Sequence, residues 1–199
     1  MHDYTIDSRE RVFVVRILFM VSALVSGIAT ALIPSDLLPM RWLLPIPSIA
    51  LVFGVSYWAF DNWLWRWPFL RVMRLVSVPD LRGTWTGMVA SSYTEFEHQQ
   101  PVTVTIEQTW TKMVVRLNAA ESRSWSLTAS ILTNSPEGLV LTYLFDNQPG
   151  AESDGTMERF RGTTVLVRTA ADQLEGYYYT GRGRGTHGSL KLCRQLPGL

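Results

Sequence analysis

The chain has 199 residues, 47% of them apolar and 18% charged, with a net charge of +1. That length holds one or two domains, the apolar and aromatic content excludes a disordered chain, and the near-neutral charge excludes a general binder of DNA or RNA polymers. The single cysteine, Cys193, excludes an internal disulfide framework and a CxxC zinc site, and it fits a reducing compartment.

The averages conceal a division at Pro79, so we expect residues 1–79 to form a two-helix transmembrane region with a juxtamembrane linker and residues 80–199 a soluble β domain. Their net charges are +2 and −1. Ile17–Ile33 is seventeen residues without a charge. Val12–Val15 lengthen it to a full span, with Arg16 able to snorkel towards the headgroups. Its apolar core is longer than that of a cleaved signal peptide, and a second span follows it. That second stretch, Trp42–Phe60, is nineteen uncharged residues with Pro45 and Pro47 suited to its first turn. The eight-residue connector Pro34–Arg41 makes the pair a helical hairpin.

Arg9, Arg11 and Arg16 flank the first span, and Arg66, Arg71 and Arg74 follow the second. The connector has only Arg41, offset by Asp36. The positive-inside rule therefore puts both termini and the β domain in the cytoplasm. Trp58, Trp63, Trp65 and Trp67 read as an aromatic belt, and Asn62–Val76 as an interfacial helix or linker. Ala23, Gly27 and Ala31 give a small-xxx-small stripe, which suits either self-association or packing within the hairpin.

After Pro79, short alternating segments are separated by turn signals. Eight strands are predicted: Leu81–Ala90, Val102–Gln108, Lys112–Asn118, Ser124–Leu132, Gly138–Phe145, Gly162–Arg168, Gln173–Thr180 and Thr186–Cys193. The alternation turns Trp85, Val104, Ile106, Val115, Leu141, Tyr143, Phe145, Leu174, Tyr178, Leu190 and Leu192 inward. In the fourth strand it does so for Trp125, Leu127, Ala129 and Ile131. Eight strands can close into a compact all-β barrel filled by side chains or holding one small ligand. The outer face carries Thr, Ser, Arg and Glu, so this barrel belongs in water rather than in lipid.

In an up-and-down barrel, alternate connections share an end. Ser91–Pro101, Ala119–Arg123, Asp146–Arg161 and Gly181–Gly185 lie together and are generally the longer set, and long loops on a rigid scaffold usually carry function. Tyr93, Arg123, Trp125, Phe145, Asn147, Arg159, Arg161, Thr180, Arg182, Arg184 and Thr186 converge at this rim. Bases stack on aromatic or guanidinium planes, and arginine forks bind phosphate, so the set suits a planar anionic ligand. The same arginines could instead be rim residues paired to Glu152, Asp154 and Glu158.

Nothing points to an enzyme. No HExxH, GxSxG, P-loop or paired-His spacing occurs. His187 and Cys193 lie about 20 Å apart along one strand and cannot form a dyad within it. His98 sits in a long loop and reads as solvated. No metal or cofactor is expected.

Two N-terminal spans followed at once by a compact eight-stranded barrel resemble the two-transmembrane, minimal β-barrel effectors of bacterial CBASS anti-phage systems. The local matches are Leu81-Arg82-Gly83-Thr84-Trp85-Thr86-Gly87 at the start of the barrel, with Gly176-Tyr177-Tyr178-Tyr179-Thr180-Gly181-Arg182 and Gly188-Ser189-Leu190-Lys191-Leu192 at its end. The resemblance implies a multi-pass protein of the bacterial inner membrane, functionally linked to a CD-NTase enzyme. Its barrel would bind a cyclic dinucleotide, the protein would oligomerise, and its spans would disrupt the lipid bilayer in abortive infection. The expected ligand-binding residues, taken from the rim and from the closing strands, are Tyr93, Trp125, Tyr143, Arg161, Tyr178, Thr180, Arg182, Arg184 and Thr186. Two other readings compete: a membrane-anchored, lipocalin-like carrier of a lipid or other apolar ligand, and a docking module without a small ligand.

Overall fold

Alternation after Pro79 produces eight consecutive antiparallel strands in the computed structural model, which describes residues 1–32, 45–150, 159–181 and 184–195. With a short strand at the N-terminus, β1 (His2–Ile6), they are β2 (Gly83–Ser91), β3 (Gln99–Gln108), β4 (Lys112–Asn118), β5 (Ser122–Ser135), β6 (Gly138–Pro149), β7 (Phe160–Ala170), β8 (Gln173–Thr180) and β9 (His187–Arg194). Each strand from β2 onward pairs with the next, and β9 returns to β2 from Trp85↔Arg194 to Ser91↔Gly188, which closes the sheet into a barrel.

The expected count of eight strands is one short. β1 enters a fork between β4 and β5. It runs antiparallel to β4 at His2↔Met113 and Asp3↔Lys112, and parallel to β5 from Tyr4↔Ala129 to Ile6↔Ile131. Five residues with a single buried side chain, Tyr4, ahead of a charged turn and an apolar helix, give no recognisable alternation.

A second correction concerns β5. The β5–β6 register shifts between Ser126 and Thr128. An extra residue on one strand reverses the facing of everything before it. Ser124 and Ser126 are therefore buried ahead of the bulge, and Ala129 and Ile131 after it, while Trp125 and Leu127 take the other face.

One end of the barrel is plugged. Trp85, Trp110, Tyr4 and Leu81 are fully buried there, and the Trp85 indole N–H donates to the Leu81 carbonyl at 3.0 Å. Gln108 ties this end together. Its amide N–H groups donate to the Pro79 carbonyl at 3.0 Å and to the Tyr4 hydroxyl at 3.2 Å, and its carbonyl accepts from the Leu81 N–H at 3.0 Å. Ile106, Met113, Ile131, Leu141, Leu166 and Leu174 fill the middle.

Residues 8–77 form a separate compact unit, whereas Met1–Asp7 belong with the β unit. The helical unit contains α1 (Glu10–Ala31), α2 (Pro45–Asn62) and a single-turn α3 (Pro68–Val72) with Pro68 in its first turn. Among the described residues α1 is the one helix long and apolar enough to cross a membrane. The connector Pro34–Arg41 and residues 42–44 lie outside the described residues. Phe19 of α1 meets Phe53 of α2 edge-on at 6.2 Å. Glu10, Val14, Ser22 and Ser26 form the buried face of α1, whereas a Cβ at Gly27 would meet nothing within 4 Å. Trp58, Trp63 and Trp67 are about half exposed, but Trp65 is fully buried and is not part of an aromatic belt.

Candidate ligand-binding site

Opposite the plug, the barrel opens into a cavity of about 1160 Å³, at the rim formed by the longer connections. Binding pockets for small ligands run to roughly 300–1,000 Å³, so this one has room for a large ligand. β2 and β3 contribute Val89 and Val102 to its wall, β4 contributes Leu117, and β9 contributes Leu190. β6 supplies Tyr143, Phe145, Asp146 and Asn147, and β7 supplies Phe160, Arg161 and Thr164.

Two glycines set the aromatic side chains. Gly162 is the cross-strand partner of Phe145, and Gly188 is that of Tyr178. A Cβ at Gly162 would stand 2.5 Å from the Phe145 ring, and one at Gly188 would stand 2.4 Å from the Tyr178 ring. Each ring therefore lies over bare backbone at the cavity edge. Phe145 continues edge-on to Phe160 at 6.2 Å and to Tyr143 at 6.5 Å.

The charge of the rim is organised by Asp146, whose side chain is 2% exposed. Arg159 donates to it from Nε at 3.1 Å to each carboxylate oxygen and from Nη2, and Arg161 Nε stands 3.8 Å away. Hydrogen bonding from Arg159 holds the Asp146 carboxyl below the ordinary aspartate range. Desolvation works against this, and the charges of Arg159 and Arg161 support it. The same carboxylate raises the affinity of Arg159 for its proton. One buried carboxylate thus holds two projecting guanidinium groups and leaves the cluster positive. A third, Arg184, lies 4.4 Å over the Phe160 ring and 5.2 Å from the Tyr93 ring. Arginine forks beside aromatic faces can grip phosphate oxygens while planar bases stack.

Deeper in, Tyr143 is buried beside the buried Thr164, and burial pushes its phenol up to about 12 against the Thr164 hydrogen bond. The site therefore offers a neutral hydroxyl at its floor. Buried Ser124 and Asn147 add polarity. A purely apolar ligand would lie against these polar groups and the arginines and offer them no hydrogen bond, which disfavours the carrier reading.

Of the residues expected at the site, Tyr93, Tyr143, Arg161, Tyr178 and Arg184 line the cavity. Trp125 does not, because the β5 bulge turns it away. Thr180 and Thr186 do not line it either. They bond to each other across the β8–β9 turn, with the Thr180 hydroxyl donating to the Thr186 carbonyl at 3.0 Å and accepting the Thr186 N–H at 2.9 Å. Arg182 lies outside the described residues, as do Glu152, Asp154 and Glu158. Among the described residues the partner of Arg159 and Arg161 is Asp146, which lies in β6, a strand that extends to Pro149, and not in the expected connection Asp146–Arg161. His98 lines the rim and is exposed, as expected.

CD-NTase-associated protein 15 of Yersinia aleksiciae is 29% identical over 71% of this chain, a match that spans 66% of that protein's own length. CD-NTase-associated protein 15 of Staphylococcus schleiferi is 29% identical over 67% of this chain and 69% of its own length. The family model described as "Cap15, cyclic dinucleotide receptor domain" matches residues 76–194, which take in β2 to β9. More than half of the chain is matched, and the resemblance drawn from its layout is borne out: the chain belongs to the Cap15 cyclic dinucleotide receptor family.

Proposed function

We propose that this protein is a CBASS effector in which residues 80–199 sense a cyclic dinucleotide and residues 1–79 act on the bacterial inner membrane. The observation that carries the reading is the juxtaposition at one rim of Arg159 and Arg161, both held by Asp146, with the rings of Tyr93, Phe145, Phe160 and Tyr178. A cyclic dinucleotide carries two phosphates and two stackable bases, and this set answers both. The contacts we assign are Tyr93, Tyr143, Arg161, Tyr178 and Arg184, together with Arg159 and Phe160.

In this reading the protein spans the membrane twice with both termini cytoplasmic, and ligand binding drives homo-oligomerisation that breaches the bilayer. The length and apolarity of α1 support the first crossing. The open space beside Gly27 supports contact between hairpins. A ligand acts only through its differential affinity for two arrangements, so the assembled state must bind the nucleotide more tightly than the resting one.

The test is thermal melting of full-length protein in detergent with cyclic di-GMP, cyclic di-AMP, cyclic GMP–AMP and cyclic UMP–AMP. A ligand that binds only the folded state adds about 2.7 kcal/mol of stability at a hundredfold excess over its Kd. A rise in Tm with one of the four supports the reading and names the signal. No shift with any of them removes the sensor assignment.

A further inference from the structure

The family match begins at residue 76, yet the barrel has a strand from the other end of the chain. Met1–Asp7, which contain β1, belong to the β unit, and α1 begins at Glu10, three residues beyond Asp7. β1 therefore ties the barrel covalently to the first apolar helix by the shortest of connections.

The place where it binds is a fork. At the cavity end, β4 and β5 pair directly through Arg116↔Trp125, Leu117↔Ser124 and Asn118↔Arg123. Leu117 and Ser124 of that short ladder line the cavity. The next rung would bring Val115 against Ser126, but the Val115 N–H donates to the Ser126 hydroxyl at 2.9 Å, and the ladder stops there. The same hydroxyl lies 2.7 Å from His2 Nε2, at the head of the inserted strand. Beyond Ser126, β1 takes backbone positions at Lys112 and Met113 on one side and at Ala129–Ile131 on the other. Continued β4–β5 pairing would place Met113 against Thr128 and Lys112 against Ala129, so it needs the same edges. An inserted β1 and a fully zipped β4–β5 ladder exclude each other.

We propose that the β4–β5 fork is a strand-binding site whose occupant is His2–Ile6, and that a ligand bound in the cavity favours β4–β5 pairing, expels β1 and frees the N-terminal end of α1. This rests on the cyclic dinucleotide reading and supplies its missing link, a two-state element that touches the cavity at one end and the apolar helix at the other. β1 is held at two points: the Tyr4 hydroxyl, buried in the plug, donates to the Trp110 carbonyl at 2.8 Å and accepts from the Gln108 amide at 3.2 Å, and the Asp7 carboxylate accepts the Thr133 and Asn134 N–H groups at 2.9 Å.

Two measurements on full-length protein in dye-loaded liposomes test it, using whichever of the four cyclic nucleotides raises the Tm. Hydrogen exchange at residues 3–6 should accelerate by about tenfold or more when that nucleotide is added, because exchange follows local opening. Unchanged or slower exchange in the presence of bound nucleotide overturns the proposal. In a Cys193→Ser background, Asp3→Cys with Lys112→Cys joins two directly opposed positions. The oxidised protein should bind nucleotide yet release no dye until reductant is added, and undiminished release from the oxidised form also overturns the proposal. Tyr4→Ala loosens β1 without any nucleotide, and dye release should then occur unprompted. Faster exchange at residues 3–6 in this variant without dye release overturns the link to the membrane unit. Because this last arm uses no ligand, its failure is distinguishable from a failure of the nucleotide assignment.

Discussion

Asp146 and Arg159 form a pair in which only one member is buried: the carboxylate is 2% exposed while the arginine side chain is 57% exposed. The acid fixes the base, and the base faces the cavity. Replacing Asp146 by Asn removes the charge that orients Arg159 and Arg161, so nucleotide affinity should fall although neither arginine is altered. Titration calorimetry of wild type and Asp146→Asn checks this, and equal affinities would show that the arginines hold their positions unaided.

The same pair sets an acid limb. The folded-state carboxyl of Asp146 is held below its ordinary value, so its stabilising contribution is present above the unfolded pKa of about 3.9 and is lost as pH falls through the lower folded value. Tm followed from neutral pH down to about pH 3 should fall more steeply in wild type than in Asp146→Asn. Parallel curves would assign the acid limb to other carboxylates, of which Asp7 and Asp80 are also held low. For Asp7, hydrogen bonds from Thr133 and Asn134 outweigh desolvation. For Asp80, the hydrogen bond and charge of Arg82 do so.

Gly188 gives a sharper packing prediction. A Cβ there would stand 2.2 Å from the Ala90 carbonyl oxygen and 2.4 Å from the Tyr178 ring. The backbone oxygen cannot swing aside, so Gly188→Ala should cost about 1–3 kcal/mol, the usual range for overpacking, and push Tyr178 into the cavity. Denaturant unfolding measures the first effect, and nucleotide affinity measures the second. Wild-type values for both would mean that β9 can shift away from β2 and β8 without loss.

These glycines show what was legible. The strand positions followed from alternation, and the rim followed from loop lengths, because both depend on local pattern. The same alternation turns Phe145 and Tyr178 inward. Alternation gives the wrong face for Trp125, because a single bulged residue reverses the facing of a strand and no residue type announces a bulge at Ser126–Thr128. β1 is not legible in the sequence, because its partners lie more than a hundred residues away and Tyr4 is its single buried side chain. Asp146 does not stand out as the arginine anchor, because three other acids, Glu152, Asp154 and Glu158, compete for the role in sequence.

The Trp125 correction can be tested directly against Tyr178. Aromatic stacking is worth about 1–3 kcal/mol per base, so Tyr178→Ala should lose affinity on that scale, while Trp125→Ala should bind nucleotide as wild type does. An equal loss in both variants would return Trp125 to the site.

Tyr143 predicts an alkaline limb. Its phenol is pushed up to about 12 by burial, against an ordinary value near 10. A raised folded pKa stabilises fully below the unfolded value and ceases to do so as pH rises through the folded one, so this contribution disappears between about pH 10 and pH 12. Tyr143→Phe should lack that loss. At neutral pH it leaves the buried Thr164 hydroxyl without its tyrosine partner, and a buried polar group deprived of its bond costs about 1–3 kcal/mol. Unfolding free energies at neutral and alkaline pH separate the two effects, and a variant as stable as wild type at neutral pH would show that Thr164 finds another partner.

The last prediction concerns α1. Its buried face runs through Val14, Ser22 and Ser26, and Gly27 stands off that face with open space where a side chain would go. The small-residue stripe of Ala23, Gly27 and Ala31 is therefore not consumed by packing at Gly27 within the hairpin, although the sequence alone allowed that. Gly27→Leu should fit without disturbing α1 against α2, and the barrel should bind nucleotide unchanged. If hairpins associate through this stripe, the leucine keeps neighbouring backbones apart, and nucleotide-dependent crosslinking and dye release should both fall. Ser22→Leu is the internal contrast, because it strikes the buried face and should loosen the hairpin itself. Undiminished crosslinking in Gly27→Leu would move the assembly surface elsewhere on the helices or onto the barrel, since the substitution leaves both the hairpin and the ligand cavity intact.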